Sequence, residues 1–179
     1  MANSEIGTLV ILVKPFERMP KGGNRNPLRL LMRVPVPWVF VLTYLIGVGV
    51  EYALPVKEKT VAPAGVRAVG VALFIIGAAI AGWGLLTFRR ARTTTVPGME
   101  SSLLVTWGPY RFSRNPMYVG LILAYLGEAG ILRQVWPLLL LPLVVAYLNW
   151  VVIPVEEGKL KEVFAERYER YQVKVRRWI

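Results

Sequence analysis

Apolar residues along this chain gather into four long blocks instead of alternating with polar ones. The blocks run from about 34 to 54, 66 to 88, 117 to 132 and 135 to 155. Each is apolar around its whole circumference, the mark of a membrane-spanning helix and not of a surface helix with one apolar stripe. All four are near the roughly 20 residues that a span needs, the third being short. Trp38 and Tyr52 lie near the two ends of the first block, where aromatic rings prefer to sit. Glu51 falls inside that block but close enough to its end to reach the interface. The second block carries Gly70, Gly77, Gly82 and Gly84, which let helix backbones approach closely, so it is expected inside the bundle. Arg133-Gln134 leaves space only for a tight turn, which makes the third and fourth blocks antiparallel neighbours. Pro137, Pro142 and Pro154 predict local unwinding of the fourth where it borders a cavity.

Three polar stretches surround the blocks. Residues 1–33 are basic; Asn26-Pro27 reads as a helix start, with Leu28, Leu31 and Met32 on one side and Arg29 and Arg33 on another. That pattern suits an interfacial helix on anionic headgroups, or a plain basic tail. Residues 89–116 form a long basic connection containing Thr93-Thr94-Thr95, and long connections are often functional. From Glu156 to Ile179, the residues Leu160, Val163, Phe164, Tyr168, Tyr171 and Val175 recur at helical spacing among charged neighbours. One amphipathic helix is expected there, its stripe docked on the end of the bundle. The fold class is therefore an all-α integral membrane protein. It has about four transmembrane helices, an N-terminal interfacial segment and a C-terminal cytosolic amphipathic helix.

Charge orients this arrangement. Of the 22 Lys and Arg residues, eighteen lie before the first block, between the second and third, or after the fourth; four lie on the opposite side. Basic residues stay in the cytosol, so both termini and the 89–116 connection are expected there. The net charge of +11 is then largely explained without nucleic acid, for which no binding signature is found. Composition narrows the chemistry further. The chain has 179 residues, 55% hydrophobic, and four spans of about 20 residues leave no space for a separate dinucleotide-binding domain. With no Cys, no His and no Asp, thiolate, His-ligated metal and Ser-His-Asp chemistry drop out, leaving Glu, Tyr and Lys for acid–base work.

The unusual residues fall in two stretches, Leu104 to Tyr118 and Pro154 to Tyr171. Because the third and fourth spans form a hairpin, both stretches lie at the same end of it. A Gly108-Pro109 turn, an Asn115-Pro116 helix start, Arg111, Arg114, Tyr110, Tyr118 and the pair Glu156-Glu157 thus converge. Free amides at the start of the third span can receive carboxylate or ribose oxygens. Tyr110, Tyr118 and Trp107 offer faces for an adenine ring or a cation, and the two glutamates can hold a ribose, an amine or the field of a sulfonium.

Gly108-Pro109-Tyr110-Arg111 with Ser113-Arg114-Asn115-Pro116-Met117-Tyr118 resembles the signature of the isoprenylcysteine carboxyl methyltransferase and phospholipid methyltransferase superfamily. So do Glu156-Glu157 with Leu160, Phe164, Tyr168 and Tyr171, the ending Val175-Arg176-Arg177-Trp178, and the earlier Thr95-Val96-Pro97 and Leu104-Val105-Thr106. The resemblance covers roughly residues 34–179 and implies a membrane enzyme using S-adenosylmethionine. The cofactor would enter from the cytosol and a lipophilic acceptor sideways from the membrane. It implies a cofactor site of Leu104, Val105, Gly108, Tyr110, Arg114, Asn115, Met117, Tyr118, Glu156 and Glu157, with Glu156 and Asn115 as the catalytic candidates.

Two positions depart from the family pattern. Asn115 stands where many members have His, and Asn cannot serve as a base. Val152 stands where members acting on a prenylcysteine carboxylate are expected to have Arg, which removes the cation such a substrate needs. Methyl transfer from a sulfonium relies on alignment and desolvation more than on acid–base groups, so a chain without His or Cys can perform it. The acceptor stays open among lipophilic or small thiols, amines and carboxylates. A sterol-reductase-like enzyme and a non-catalytic lipid-binding scaffold are the alternatives.

Overall fold

The computed structural model describes residues 35–56, 64–91 and 103–179. The expectations placed on residues 1–33 and on Thr93 to Pro97 lie outside these. Among the described residues the chain is helical: α1 (Val36–Ala53), α2 (Ala64–Arg90), a 3-10 turn (Gly108–Arg111), α3 (Pro116–Leu132), α4 (Val135–Tyr147), α5 (Ile153–Phe164) and α6 (Glu166–Lys174). Among the described residues three helices are long and apolar enough to cross a membrane: α1, α2 and the continuous rod Val135–Phe164. α3 is a shorter apolar helix of 17 residues. This is an all-α integral membrane protein.

Proline opens these helices where an amide hydrogen would go unused anyway, with Pro37 in the first turn of α1 and Pro116 at the first position of α3. α3 ends where Arg133 turns left-handed (φ 56°), and two residues later α4 begins. Lipid offers helices no hydrophobic drive to associate, so close approach has to do the work. Along α2 and α3 it does. A Cβ on Gly120 would sit 2.6 Å from the Ala81 backbone nitrogen, and Cβ atoms on Gly77 and Gly127 would collide with the backbones of Ala124 and Phe74. Among the described residues the glycine face is the packed face of α2, however. Val66, Val69, Ile75, Ile76, Trp83 and Leu86 are exposed, so α2 flanks the bundle and does not sit inside it. Gly82 belongs to that open side, with no atom near where its Cβ would be.

The apolar core lies instead between α1, α3 and α4, where Phe40, Tyr44, Tyr125, Leu141, Val144 and Leu148 are buried together. Tyr44 and Tyr125 meet edge to face at 5.0 Å, and Tyr125 Oη donates to the carbonyl of Pro137 at 3.0 Å. Glu51 does not reach out to the interface. It is buried, and its Oε2 accepts the amides of Val135 (3.1 Å) and Trp136 (3.3 Å), capping α4 from the neighbouring helix. The first amides of a helix lack internal partners and carry its positive end, so a carboxylate from α1 is stabilised there.

The C-terminal part of the chain differs most from expectation, which placed a single helix after 155. α4 does unwind locally, through a π turn at Leu148–Val152 that leads straight into α5. Pro154 has no amide hydrogen to complete the regular ladder, and a widened turn accommodates that. The rod then continues to Phe164. The break comes at Ala165 (φ 42°), whose amide closes α5 on Lys161 and whose carbonyl starts α6 by accepting from Tyr168 and Glu169. The phase shift carries Phe164, Tyr168, Tyr171 and Val175 into one cluster with Leu104 and Leu160, while Val163 is left half-exposed. Residues 175–179 leave α6 as a non-helical strap.

Candidate functional site

The stretch before α3 is shaped by one glycine. Gly108 has φ +63°, and a Cβ there would press on Thr87 Oγ1 at 3.0 Å, so the 3-10 turn can tuck against the end of α2 only with glycine at its start. Tyr110 is buried in consequence, its ring edge-on to Phe88 at 5.1 Å, and Met117 packs where a side chain at Gly84 would be. Burial, with Tyr171 and Glu156 nearby, pushes the Tyr110 phenol far above its ordinary range, so it stays a neutral hydroxyl. The Tyr110 carbonyl accepts the Tyr171 hydroxyl at 2.7 Å. Tyr171 is raised for the same reason, burial first, and Tyr168 is pushed up to about 12 by burial and by Glu157.

The strap is stitched to the start of α3. Arg114 N donates to the Arg176 carbonyl (3.0 Å), while Ser113 Oγ (3.3 Å) and Asn115 Nδ2 (2.9 Å) both donate to the Arg177 carbonyl. Arg114 Nη1 reaches the Gln172 carbonyl at 3.2 Å. Asn115 therefore does not cap its own helix with its side chain; it fastens the C-terminus.

Two adjacent glutamates meet different surroundings. Glu157 is clamped between Arg114 (3.0 Å) and Arg177 (2.8 Å), a charge-assisted network in which one carboxylate balances two guanidinium groups. Glu156 has Tyr118 as its hydrogen-bond partner, with the phenol donating to Oε1 at 2.8 Å; Lys159 acts on it only from beyond ion-pairing distance. The Arg177 side chain extends the network to the π turn after α4, where Asn149 Oδ1 accepts from Arg177 Nη1 (3.4 Å) and from Trp178 Nε1 (3.2 Å). Beside Asn149 an open groove of ≈ 740 Å³ runs between α3 and α4, lined by Leu126, Leu138, Pro142, Val145, Trp150 and Trp178.

The residues expected at the site thus fall into three groups. Arg114, Asn115, Tyr118, Glu156 and Glu157 come together in or beside one polar network. Gly108, Tyr110 and Met117 pack on α2. Leu104 and Val105 are buried, Leu104 against Tyr168 and Tyr171. Trp107 is half-exposed, whereas the Tyr110 ring is enclosed and presents no open face.

A family model described as phospholipid methyltransferase matches residues 66–167, more than half of the chain and both halves of this network. The chain belongs to the phospholipid methyltransferase family. No curated protein and no solved structure matches it significantly. This is a membrane methyltransferase, and the match favours methyl transfer over the reductase and scaffold alternatives. The matched region stops short of the strap, so the residues that this methyltransferase uses to lock its two motifs together, Gln172, Arg176 and Arg177, lie beyond it.

Sequence reasoning assigned no role to Arg177, Ser113 or Asn149. For Asn149 a signal was present: it is the one Asn, Gln, Ser, Thr or charged residue between 135 and 155, and a polar group at membrane depth is a functional candidate by default. For Arg177 the signal was weaker. A buried Glu157 beside Arg114 gives no hint of a second cation twenty residues later.

Proposed function

We propose that the protein transfers a methyl group from S-adenosylmethionine to a lipophilic acceptor that enters from the bilayer, at a site facing the cytosol. The observation that carries this reading is the unequal pairing of Glu156 and Glu157. Glu157 is neutralised by two arginines, whereas Glu156 has a tyrosine hydroxyl. A carboxylate held that way in a half-buried pocket attracts a compact cation, and a sulfonium is one. The other groups fit as well: Arg114 Nε is buried without a hydrogen-bond partner among the described residues, a donor suited to a carboxylate or ribose oxygen.

In this reading Glu156, Tyr118 and Arg114 hold the cofactor. Leu104, Val105, Gly108, Tyr110 and Met117 shape its walls, and Asn115 and Glu157 keep the loop and strap in register. When bound, S-adenosylmethionine supplies an electrophilic methyl group. The chain's own residues align the acceptor and exclude water. Glu156 orients the nucleophile, and with an amine acceptor it takes the proton released as the carbon–nitrogen bond forms. The acceptor's hydrocarbon lies in the α3–α4 groove with its polar end toward Asn149 and Arg177. The methyltransferase unit spans residues 34–179, with 1–33 as a membrane-surface segment, and both termini face the cytosol.

Calorimetric titration of the detergent-solubilised protein with S-adenosylmethionine and S-adenosylhomocysteine tests this. Saturable binding, weakened at least about tenfold in Glu156→Ala, is the expected outcome. Absence of binding by either ligand to protein that is demonstrably folded would overturn it. Because the chain has no Cys, single introduced cysteines at 57 and 174 report the orientation: only the first is expected to react from outside intact cells.

A further inference from the structure

Not every arginine at the site end of the bundle serves the network. Arg114 and Arg177 are paired with Glu157, but Arg89, Arg90 and Arg111 are exposed and make no ion pair among the described residues. They share one location. The last turn of α2 carries Arg89 and Arg90, and the 3-10 turn carrying Arg111 is packed onto it through Thr87 against Gly108 and Phe88 against Tyr110. Immediately around them are large aromatic side chains turned outward. Phe112 is 71% exposed, and Trp83 and Trp107, which flank the Gly108 turn, are 49% and 42% exposed.

We infer that this corner of the molecule is a binding surface for an anionic phospholipid. The layering fits the occupant. Trp83 lies six residues, about 9 Å of helix, before Arg89 on α2, and Trp107 and Phe112 flank the turn that carries Arg111; aromatic rings settle at the membrane interface, and guanidinium groups reach out to headgroups. Three cations without an ion pair among the described residues, gathered at the end of a membrane helix, complement a phosphate charge, and guanidinium donates to phosphate oxygens in pairs. The surface is one-sided. At the other end of the bundle, the described residues include only Arg67 and Arg133 as cations. It is also separate from the α3–α4 groove, since it lies on α2 and the turn that covers its end.

The test uses the full chain in phosphatidylcholine vesicles containing a small fraction of lipid brominated on its acyl chains, which quenches tryptophan fluorescence on contact. At low salt, brominated phosphatidylglycerol is expected to associate about tenfold more tightly than brominated phosphatidylcholine. Arg89→Gln/Arg90→Gln/Arg111→Gln should bring the ratio close to one, and Arg111→Gln alone should lower it about twofold. Replacing the exposed basic residues of α6 (Arg167→Gln/Arg170→Gln/Lys174→Gln) should leave it unchanged. No preference in the wild type, a preference that survives the triple variant, or equal loss in the α6 variant would each overturn the assignment, the last by showing diffuse attraction to total charge. The single variant keeps the test decisive if the triple one does not fold.

Discussion

α2 and α3 meet along a seam of glycines so close that no side chain fits between the backbones, whereas α3 and α4, joined by only two residues, pack through large side chains and border an open groove of ≈ 740 Å³. Chain connectivity does not decide which helices pack. The α2–α3 seam needs nothing beyond small residues, because close approach is its whole source of attraction in lipid. The α3–α4 seam carries bulky side chains: Tyr125 of α3 bonds to the Pro137 carbonyl of α4, Glu51 of α1 caps the start of α4, and the Glu157–Arg177–Asn149 network ties the other end to the strap. A glycine seam makes a wall; a seam of large side chains leaves a groove beside it.

The site-end fastening should be the most sensitive point. Glu157→Ala leaves Arg114 and Arg177 facing one another in a largely buried pocket, and such removals cost about 3 kcal/mol or more. Thermal unfolding in detergent should show the largest drop of any variant discussed here, and Arg177→Ala/Glu157→Ala should recover part of it. A double variant no more stable than Glu157→Ala would mean that the strap is not held by this charge pair.

The glycine seam comes next. Gly77→Val has to push α2 off α3, at about 1–3 kcal/mol, while Gly82→Val, on the open side of the same helix, should change stability by less than about 0.5 kcal/mol. Equal effects at the two positions would show that the wall is not the packed unit. Filling the groove should do the opposite. Ala146→Phe projects into the groove and should leave unfolding and S-adenosylhomocysteine binding unchanged while raising the KM for a lipophilic acceptor roughly tenfold. An unchanged KM would move the acceptor out of the groove.

The helices themselves were legible because a block apolar on all sides has few alternatives to spanning a membrane, and the apolar blocks end within about two residues of α1 to α3. The groove was half legible: three prolines signalled an irregular fourth helix, and the π turn sits between the last two of them. What the pattern hid depends on long-range partners. Gly70, Gly77 and Gly84 announce a packed face but not how much of α2 is buried, which left its lipid-facing side unforeseen. Glu51 near a helix end looks free to reach water, and only the position of α4 turns it into a cap. Ala165 adopts a left-handed conformation that no local sequence rule assigns to alanine; the burial of Phe164, Tyr168 and Tyr171 on either side demands the bend. At the site, both motifs were visible, but the division of labour between two neighbouring glutamates depended on Arg177.

The far-end fastening gives the finest discrimination. Glu51→Gln keeps an oxygen that can accept the amides of Val135 and Trp136 and removes only the charge at the positive end of α4, so it should cost about 1 kcal/mol or less. Glu51→Ala removes the acceptor as well and strands both amides, adding about 1–3 kcal/mol. Trp136 Nε1, which donates to the Leu54 carbonyl at 2.9 Å, holds the same corner in both variants and keeps α4 near α1. Unfolding curves for the pair therefore separate cap from charge. If Gln is as damaging as Ala, the carboxylate acts through its charge, and α4 is fastened to α1 at this end by electrostatics and not by hydrogen bonding. If neither variant matters, the Trp136–Leu54 bond and the apolar core hold this end of α4 without the cap.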